Sequence, residues 1–154
     1  MRLVKLIVTF FFIGDSKIAP GSIASFATVL LFYFFAKHLN VFLFIVIISA
    51  ITMLSFFAVR SYTADLLEKD KGEIVIDEVI GQSIALLPLL IFAGNKPPEI
   101  FICIVSLLFF RFFDIVKPYP INKIDKMNSV FGVIFDDILA GIFSALLLTL
   151  ALIY

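Results

Sequence analysis

The sequence predicts an all-α protein: a polytopic bundle of about five membrane-embedded helices, with an interfacial helix at the N-terminus, in one domain over residues 1–154. Of the 154 residues, 62% are hydrophobic and 20 are phenylalanine, and the mean hydropathy is +1.16. Soluble domains contain only about 45–50% apolar residues. Long apolar runs also alternate with short charged segments, as they do in membrane bundles. The formal net charge is zero, so nothing indicates a nucleic-acid partner.

Five apolar stretches are bounded by charged residues and helix breakers, and these are residues 22–36, 39–59, 78–93, 100–116 and 138–154. Only residues 39–59 reach the roughly 20 residues that a helix needs to cross a bilayer. The others are therefore expected to be thin, tilted or partly re-entrant. Ahead of them, residues 3–13 form an apolar run beside Arg2 and Lys5, which is typical of a helix lying in the membrane interface.

Basic residues alternate between the connecting segments. The six segments before, between and after the five stretches carry three, one, three, one, three and no Lys or Arg. Because basic residues favour the cytoplasmic side, the N-terminus is expected in the cytoplasm and the C-terminus outside. The same assignment places every dense polar cluster at the cytoplasmic end and leaves His38, Lys96 and Glu99 on the other side.

Carboxylates gather at the edges of these apolar stretches. A carboxylate beside hydrocarbon is costly and usually indicates function, and hard oxygen ligands suit Mg²⁺. The sequence therefore predicts a magnesium site whose candidate catalytic and metal-binding residues are Asp77, Glu78, Asp114, Asp136 and Asp137. The alternative for the two adjacent pairs is helix capping, with Asp77 as the N-cap of one helix and Asp136-Asp137 at the start of the last.

Arg111, Asp114 and Lys117 recur every three residues and are expected on one helix face. Two cations beside a carboxylate suggest that Asp114 binds metal while Arg111 or Lys117 binds a phosphate group. The alternative is a self-neutralising Arg111–Asp114 pair that reaches to the interface.

Three further residues are weaker candidates. Ser22 follows Pro20-Gly21 at a predicted helix N-terminus, where backbone N–H groups attract anions, although this segment could equally be a simple turn and cap. Lys123 is a second-rank phosphate ligand. Asp125 is expected to orient Lys117 or Lys123.

Four segments together resemble the phosphatidylglycerophosphatase A family, and they are residues 19–22, 74–81, 110–121 and 131–141. The specific part is Arg-x-x-Asp-x-x-Lys-Pro at residues 111–118, followed by Asp136-Asp137. The resemblance implies Mg²⁺-dependent hydrolysis of the phosphate monoester of phosphatidylglycerophosphate, which yields phosphatidylglycerol and inorganic phosphate for phospholipid biosynthesis. It also implies a multi-pass enzyme of the bacterial cytoplasmic (inner) membrane, surrounded by lipids, with its active site facing the cytoplasm.

Two other classes of function remain open at this point. A small transporter or ion-conducting bundle would use its acids to relay cations, but its carboxylates should be spread through the membrane depth. A structural or assembly subunit would tolerate replacement of the carboxylates. The sequence leaves the oligomeric state open.

Overall fold

The computed structural model describes residues 2–65, 72–92 and 98–154, and within these ranges the chain forms helices and turns without β-strands. The α-helices in this described part are α1 (Arg2–Val8), α2 (Pro20–Phe35), α3 (Val41–Tyr62), α4 (Ile76–Phe92), α5 (Ile100–Val116), α6 (Ile121–Asp125) and α7 (Val130–Ile153). The predicted all-α class is confirmed. Three basic residues used in the charge count, Lys69, Lys71 and Lys96, lie outside the described residues.

Three helical segments are long and apolar enough to cross a membrane: Pro20–His38, which is α2 with a following 3-10 turn, Val41–Tyr62 and Val130–Ile153. Helices α4 and α5 have 17 residues each, which at about 1.5 Å per residue is about 25 Å, against a hydrocarbon core of about 30 Å. They correspond to the short embedded helices expected from the sequence. Helix α4 lies at the centre of the bundle and packs against α2, α3, α5 and α7.

Helix α7 begins eight residues earlier than the predicted start at residue 138. Its N-cap is Ser129, whose Oγ accepts a hydrogen bond from the Gly132 N–H at 3.1 Å. Asp136 and Asp137 therefore lie in the second turn of α7, and the capping alternative is wrong for this pair. Acids that face a polar cavity can lie inside a helix, so their positions do not mark where the helix begins.

Two other boundaries differ from the sequence prediction. Helix α4 already begins at Ile76, so Asp77 lies inside its first turn instead of acting as N-cap. At the N-terminus, α1 ends at Val8, whereas the apolar run continues to residue 13. The chain leaves the helix through Phe10, Phe11 and Phe12, whose φ angles are 43°, 56° and 67°. Such left-handed conformations are uncommon for bulky residues and stop the helix.

Candidate active site

A polar cavity of about 150 Å³ lies where α4, α5 and α7 meet the segment that precedes α4. All five carboxylates predicted as candidate ligands border it, together with a sixth acid and a lysine. Its charged lining residues are Asp77, Glu78, Asp114, Lys117, Asp125, Asp136 and Asp137. Residues separated by up to 60 positions in the chain therefore share one small volume.

Asp77, Glu78 and Asp137 form the tightest group in the described part of the chain, since each offers a carboxylate oxygen within 4.8 Å of the others. Asp77 and Asp137 are only 6% and 4% exposed. Glu78 Oε2, Asp136 Oδ1 and Asp137 Oδ1 are buried and accept no hydrogen bond from any described residue. Because buried anionic oxygens without donors are costly, this donor set fits a bound divalent cation, and hard oxygens fit Mg²⁺ in particular.

Close contact between α4 and α7 brings these carboxylates together. Gly81 lies one turn after Asp77, and Gly141 lies one turn after Asp137. A Cβ added to Gly141 would lie 2.3 Å from the Gly81 carbonyl oxygen, and one added to Gly81 would lie 2.5 Å from the Asp137 carbonyl oxygen. Small residues permit such close backbone approach between membrane helices, so this crossing sets the separation of the two acidic pairs.

The segment that leads into α4 is fixed from the N-terminal side. The Val75 N–H donates to the Val8 carbonyl oxygen at 2.9 Å. The Tyr62 hydroxyl donates to Glu73 Oε1 at 2.8 Å. Since Val8 and Val75 are fully buried, α1 and the end of α3 hold the start of α4, and with it Asp77 and Glu78, in place.

Arg111 lies beside the carboxylates. Its Nη1 is 2.8 Å from Asp114 Oδ2, and the two side chains are 21% and 13% exposed. The predicted pair therefore exists, but it is mostly buried instead of reaching into solvent. The contact is an ion pair that lacks hydrogen-bond alignment, and the buried Arg111 Nε donates to no described residue. Arg111 consequently retains donor capacity for an anion.

Lys117 does not continue the helical stripe of Arg111 and Asp114. It is the C-cap of α5, with a left-handed φ of 45°, and its Nζ donates to Asp136 Oδ2 at 2.6 Å and also to Asp125 Oδ1. Burial alone would lower the pKa of Lys117, but the bonds to Asp125 and Asp136 outweigh burial and raise this pKa above its usual value. The lysine thus stays cationic, and its contact with Asp125 has the geometry expected of an orienting partner.

The two second-rank candidates lie away from the cavity lining. Ser22 is half-buried in the first turn of α2, and Lys123 is exposed on α6. Their phosphate-binding roles stay predictions. The neighbour of Ser22 is closer to the acids: a Cβ added to Gly21 would lie 1.9 Å from Glu78 Oε1 and 3.4 Å from Arg111 Nη1. In the sequence, the feature that points to this contact is the Pro20-Gly21 pair at a predicted helix N-terminus.

Comparison with known proteins shows the family to which this chain belongs. The sequence model of the phosphatidylglycerophosphatase A family matches residues 6–152. Phosphatidylglycerophosphatase A of Haemophilus influenzae is 32% identical over 129 residues, covering 83% of this chain and 76% of the relative. The protein of the same name from Escherichia coli is 29% identical over 134 residues, covering 86% of this chain and 73% of the relative.

A third relative carries a different substrate in its name. A Bacteroides thetaiotaomicron protein, provisionally named phosphatidylinositol-3-phosphatase, is 35% identical over 83 residues, which cover 54% of this chain and 50% of that protein. No solved structure matches the chain. The family match spans nearly the whole sequence and includes every carboxylate of the cavity. The chain belongs to the phosphatidylglycerophosphatase A family.

Proposed function

We propose that this protein hydrolyses the phosphate monoester of phosphatidylglycerophosphate in a Mg²⁺-dependent reaction, releasing phosphatidylglycerol and inorganic phosphate. The observation that carries the proposal is the buried cavity lined by six acids and one lysine, in a chain that belongs to this family. The family supports the substrate, and the cavity supports the dependence on a divalent cation.

Charge explains why a cation is needed. The cavity lining is strongly acidic, and a phosphate monoester is itself an anion that such a lining repels. Asp77, Glu78 and Asp137 would hold the ion, with Asp114 and Asp136 beside them. Magnesium supplies, when bound, compensation for the negative charge on the phosphoryl oxygens and for the charge that develops during hydrolysis.

The protein's own residues then divide the remaining tasks. Arg111 has a buried Nε without a partner among the described residues, and it contacts phosphate oxygens as a guanidinium does. Lys117, fixed by two carboxylates, adds a second positive charge. One carboxylate of the set accepts a proton from the attacking water. The new bond joins the water oxygen to phosphorus while the bond from phosphorus to the glycerol oxygen breaks, and the proton taken from water passes to that glycerol oxygen, which leaves as the alcohol.

The membrane setting suits a lipid substrate. The charged cavity lies near the ends of its helices, whereas exposed apolar side chains cover α2, α3, α5 and α7. A phospholipid can thus present its head group to the acids while its chains remain in hydrocarbon. By the distribution of basic residues, we assign the cavity to the cytoplasmic face of the bacterial inner membrane.

The test is phosphate release by the purified full-length protein in lipid nanodiscs. Phosphatidylglycerophosphate, phosphatidylinositol 3-phosphate and phosphatidic acid are supplied separately, with EDTA or with excess Mg²⁺. We expect release from phosphatidylglycerophosphate that stops in EDTA and returns with Mg²⁺. Preferential release from phosphatidylinositol 3-phosphate would contradict the proposed substrate, and undiminished release in EDTA would contradict the cofactor. If the protein reconstituted in liposomes instead showed cation flux without any phosphate release, that result would favour a transporter.

A further inference from the structure

A large apolar groove lies outside the acidic cavity. Its volume is about 400 Å³, and it is formed between α2 and α3 with α4 as its floor. Both α2 and α3 pack on α4, but these two consecutive helices hardly touch each other. The residues that line its middle include Leu31 and Phe35 of α2, Ile47 and Ile51 of α3, and Val79 and Ser83 of α4.

The two hydroxyl groups in the groove do not make its surface polar. The Thr28 hydroxyl donates to the Ala24 carbonyl oxygen at 2.9 Å, and the Ser83 hydroxyl donates to the Val79 carbonyl oxygen at 2.7 Å. Both hydroxyls are satisfied within their own helices, so apart from His38 at the far end the surface offered to an occupant is hydrocarbon. Since α2 and α3 are both candidate membrane spans, the groove lies at the depth of the lipid chains.

The groove has one end at the turn between α2 and α3 and one end near the catalytic acids. The rings of Phe32 and Phe44, with centroids 5.4 Å apart, and the turn at His38 border the far end. The near end reaches Val79, which follows Glu78. A long occupant that enters sideways from the bilayer can therefore extend toward the side of the membrane on which the acidic cavity lies.

Helix α2 borders both the acidic site and the groove. Gly21, Thr28 and Phe35 are spaced by seven residues and so lie on the same side of the helix. Gly21 lies against Glu78 and Arg111, whereas Thr28 and Phe35 line the groove. Ala24 and Ser25, which lie between these positions, are fully buried, so a lipid that reaches both sites runs over the surface of the bundle and not along this packed face.

We propose that the groove between α2 and α3 binds one acyl chain of the phospholipid whose terminal phosphate occupies the acidic cavity. The inference rests on the proposed function, because it takes the substrate to be phosphatidylglycerophosphate. In that lipid a phosphodiester and a glycerol separate the terminal phosphate from the chains. The groove therefore does not need to adjoin the carboxylates, because the head group spans the distance between the two sites.

The decisive comparison uses two isoleucines of α3. Ile47 lines the groove and is 37% exposed, whereas Ile45, 45% exposed, does not line it. Each is replaced by tryptophan, and kcat/KM is measured on dioleoyl and on dihexanoyl phosphatidylglycerophosphate. We expect Ile47→Trp to lower kcat/KM about 10-fold on the long-chain lipid and less than about twofold on the short-chain lipid, as for filling a hydrophobic subsite. Ile45→Trp should change neither. Equal losses of Ile47→Trp on both lipids, or no loss on the dioleoyl lipid, would overturn the proposal.

A second measurement does not depend on hydrolysis. A phosphatidylglycerol with a diazirine at the end of one acyl chain is photolysed in nanodiscs, and the labelled peptides are mapped. Crosslinks are expected to concentrate on the groove face of α2 and α3, to be lost in Ile47→Trp and to persist in Ile45→Trp. Even labelling of all lipid-exposed helices contradicts an acyl site. If the wild-type protein hydrolyses neither lipid, the proposed function fails, while the crosslinks still decide whether the groove holds a chain.

Discussion

One carboxylate oxygen of each of three acids, the buried Asp77 and Asp137 and the partly buried Glu78, lies within 4.8 Å of the others. At this separation their charges repel strongly in a medium of low dielectric constant. A cation between them turns the repulsion into attraction. The same side chain is therefore expected to weaken the metal-free protein and to stabilise the magnesium-bound protein.

Asp137→Asn tests this reversal. The substitution keeps the shape of the side chain but removes one of the clustered charges. In EDTA we expect the variant to unfold at a Tm about 4 °C higher than the wild type, because relief of 1–2 kcal/mol corresponds to roughly 2–4 °C per kcal/mol in a chain of this size. With Mg²⁺ the order should reverse, and hydrolysis should fall at least about 100-fold. Differential scanning fluorimetry and phosphate release provide the two measurements.

Asp15→Asn is the matched control for this experiment. Asp15 lies 2.9 Å from Lys5 in an ion pair whose side chains are both 38% exposed, and exposed pairs contribute little to stability. Its replacement should leave the Tm nearly unchanged in both conditions. A Tm for Asp137→Asn that is lower than the wild-type value in EDTA would show that Asp137 stabilises the fold without metal.

The acidic residues of the site were visible in the sequence because charges are conspicuous in an apolar chain. The residues that contact these acids are harder to identify from the sequence. The spacing predicts that Lys117 shares a helix face with Arg111 and Asp114. In the structure, the left-handed backbone at Lys117 directs its side chain to Asp125 and Asp136. The contact of Gly21 with Glu78 depends on how α2 packs against α4. Spacing along one helix cannot reveal contacts that tertiary structure creates.

At the scale of helices, the sequence predicted which segments are helical better than where they begin. If charged residues mark helix boundaries, α7 is predicted to begin at residue 138. In the structure it begins at Val130. A better signal was present in Ser129, a favoured N-cap residue directly before the apolar run. The short helix α6 was missed because five residues give too little periodicity to recognise.

The crossing of α4 and α7 leads to a prediction at this scale. Gly141→Ala would place a methyl group 2.3 Å from the Gly81 carbonyl oxygen, so the two helices must separate. We expect destabilisation of about 1–3 kcal/mol, as for other overpacked contacts, and a loss of activity of about 100-fold, since a displacement near 1 Å can cost that much. Thermal unfolding and kcat measured at saturating Mg²⁺ check both values.

Ala151→Val serves as the control because it adds more bulk to the same helix at an exposed position. It should leave hydrolysis and unfolding close to wild type. If Gly141→Ala retained full activity, the contact between Gly81 and Gly141 would not set the geometry of the carboxylates.

At the scale of the whole molecule, charge is distributed very unevenly along the bundle axis. Of the acidic residues that the structure describes, Glu99 alone lies between the end of α4 and the start of α5, while the cavity acids lie toward the opposite ends of these two helices. The sequence could predict this asymmetry because basic residues also alternate between the connecting segments. It could not predict how far α4 and α5 penetrate the bilayer, since that depends on tilt and on local membrane thickness.

Glu99→Cys distinguishes full spans from re-entrant helices. If α4 and α5 cross the membrane, a cysteine at this exposed position should react with a membrane-impermeant maleimide added outside intact cells. If the two 17-residue helices stop within the hydrocarbon, it should react from neither side. The native Cys103, which is fully buried, is replaced by alanine in this background. We expect labelling from outside, because local thinning of the bilayer readily compensates the shortfall of about 5 Å.

Two reference positions fix the orientation in the same experiment. Tyr154→Cys at the C-terminus should also be labelled from outside, and Lys126→Cys, on the exposed segment after α6 near the acidic cavity, only after the cells are permeabilised. Three spans or five spans both put the termini on opposite sides, so these references test the positive-inside assignment independently of Glu99. Labelling of Lys126→Cys in intact cells would place the acidic cavity on the outer face, where a substrate of the cytoplasmic leaflet cannot reach it.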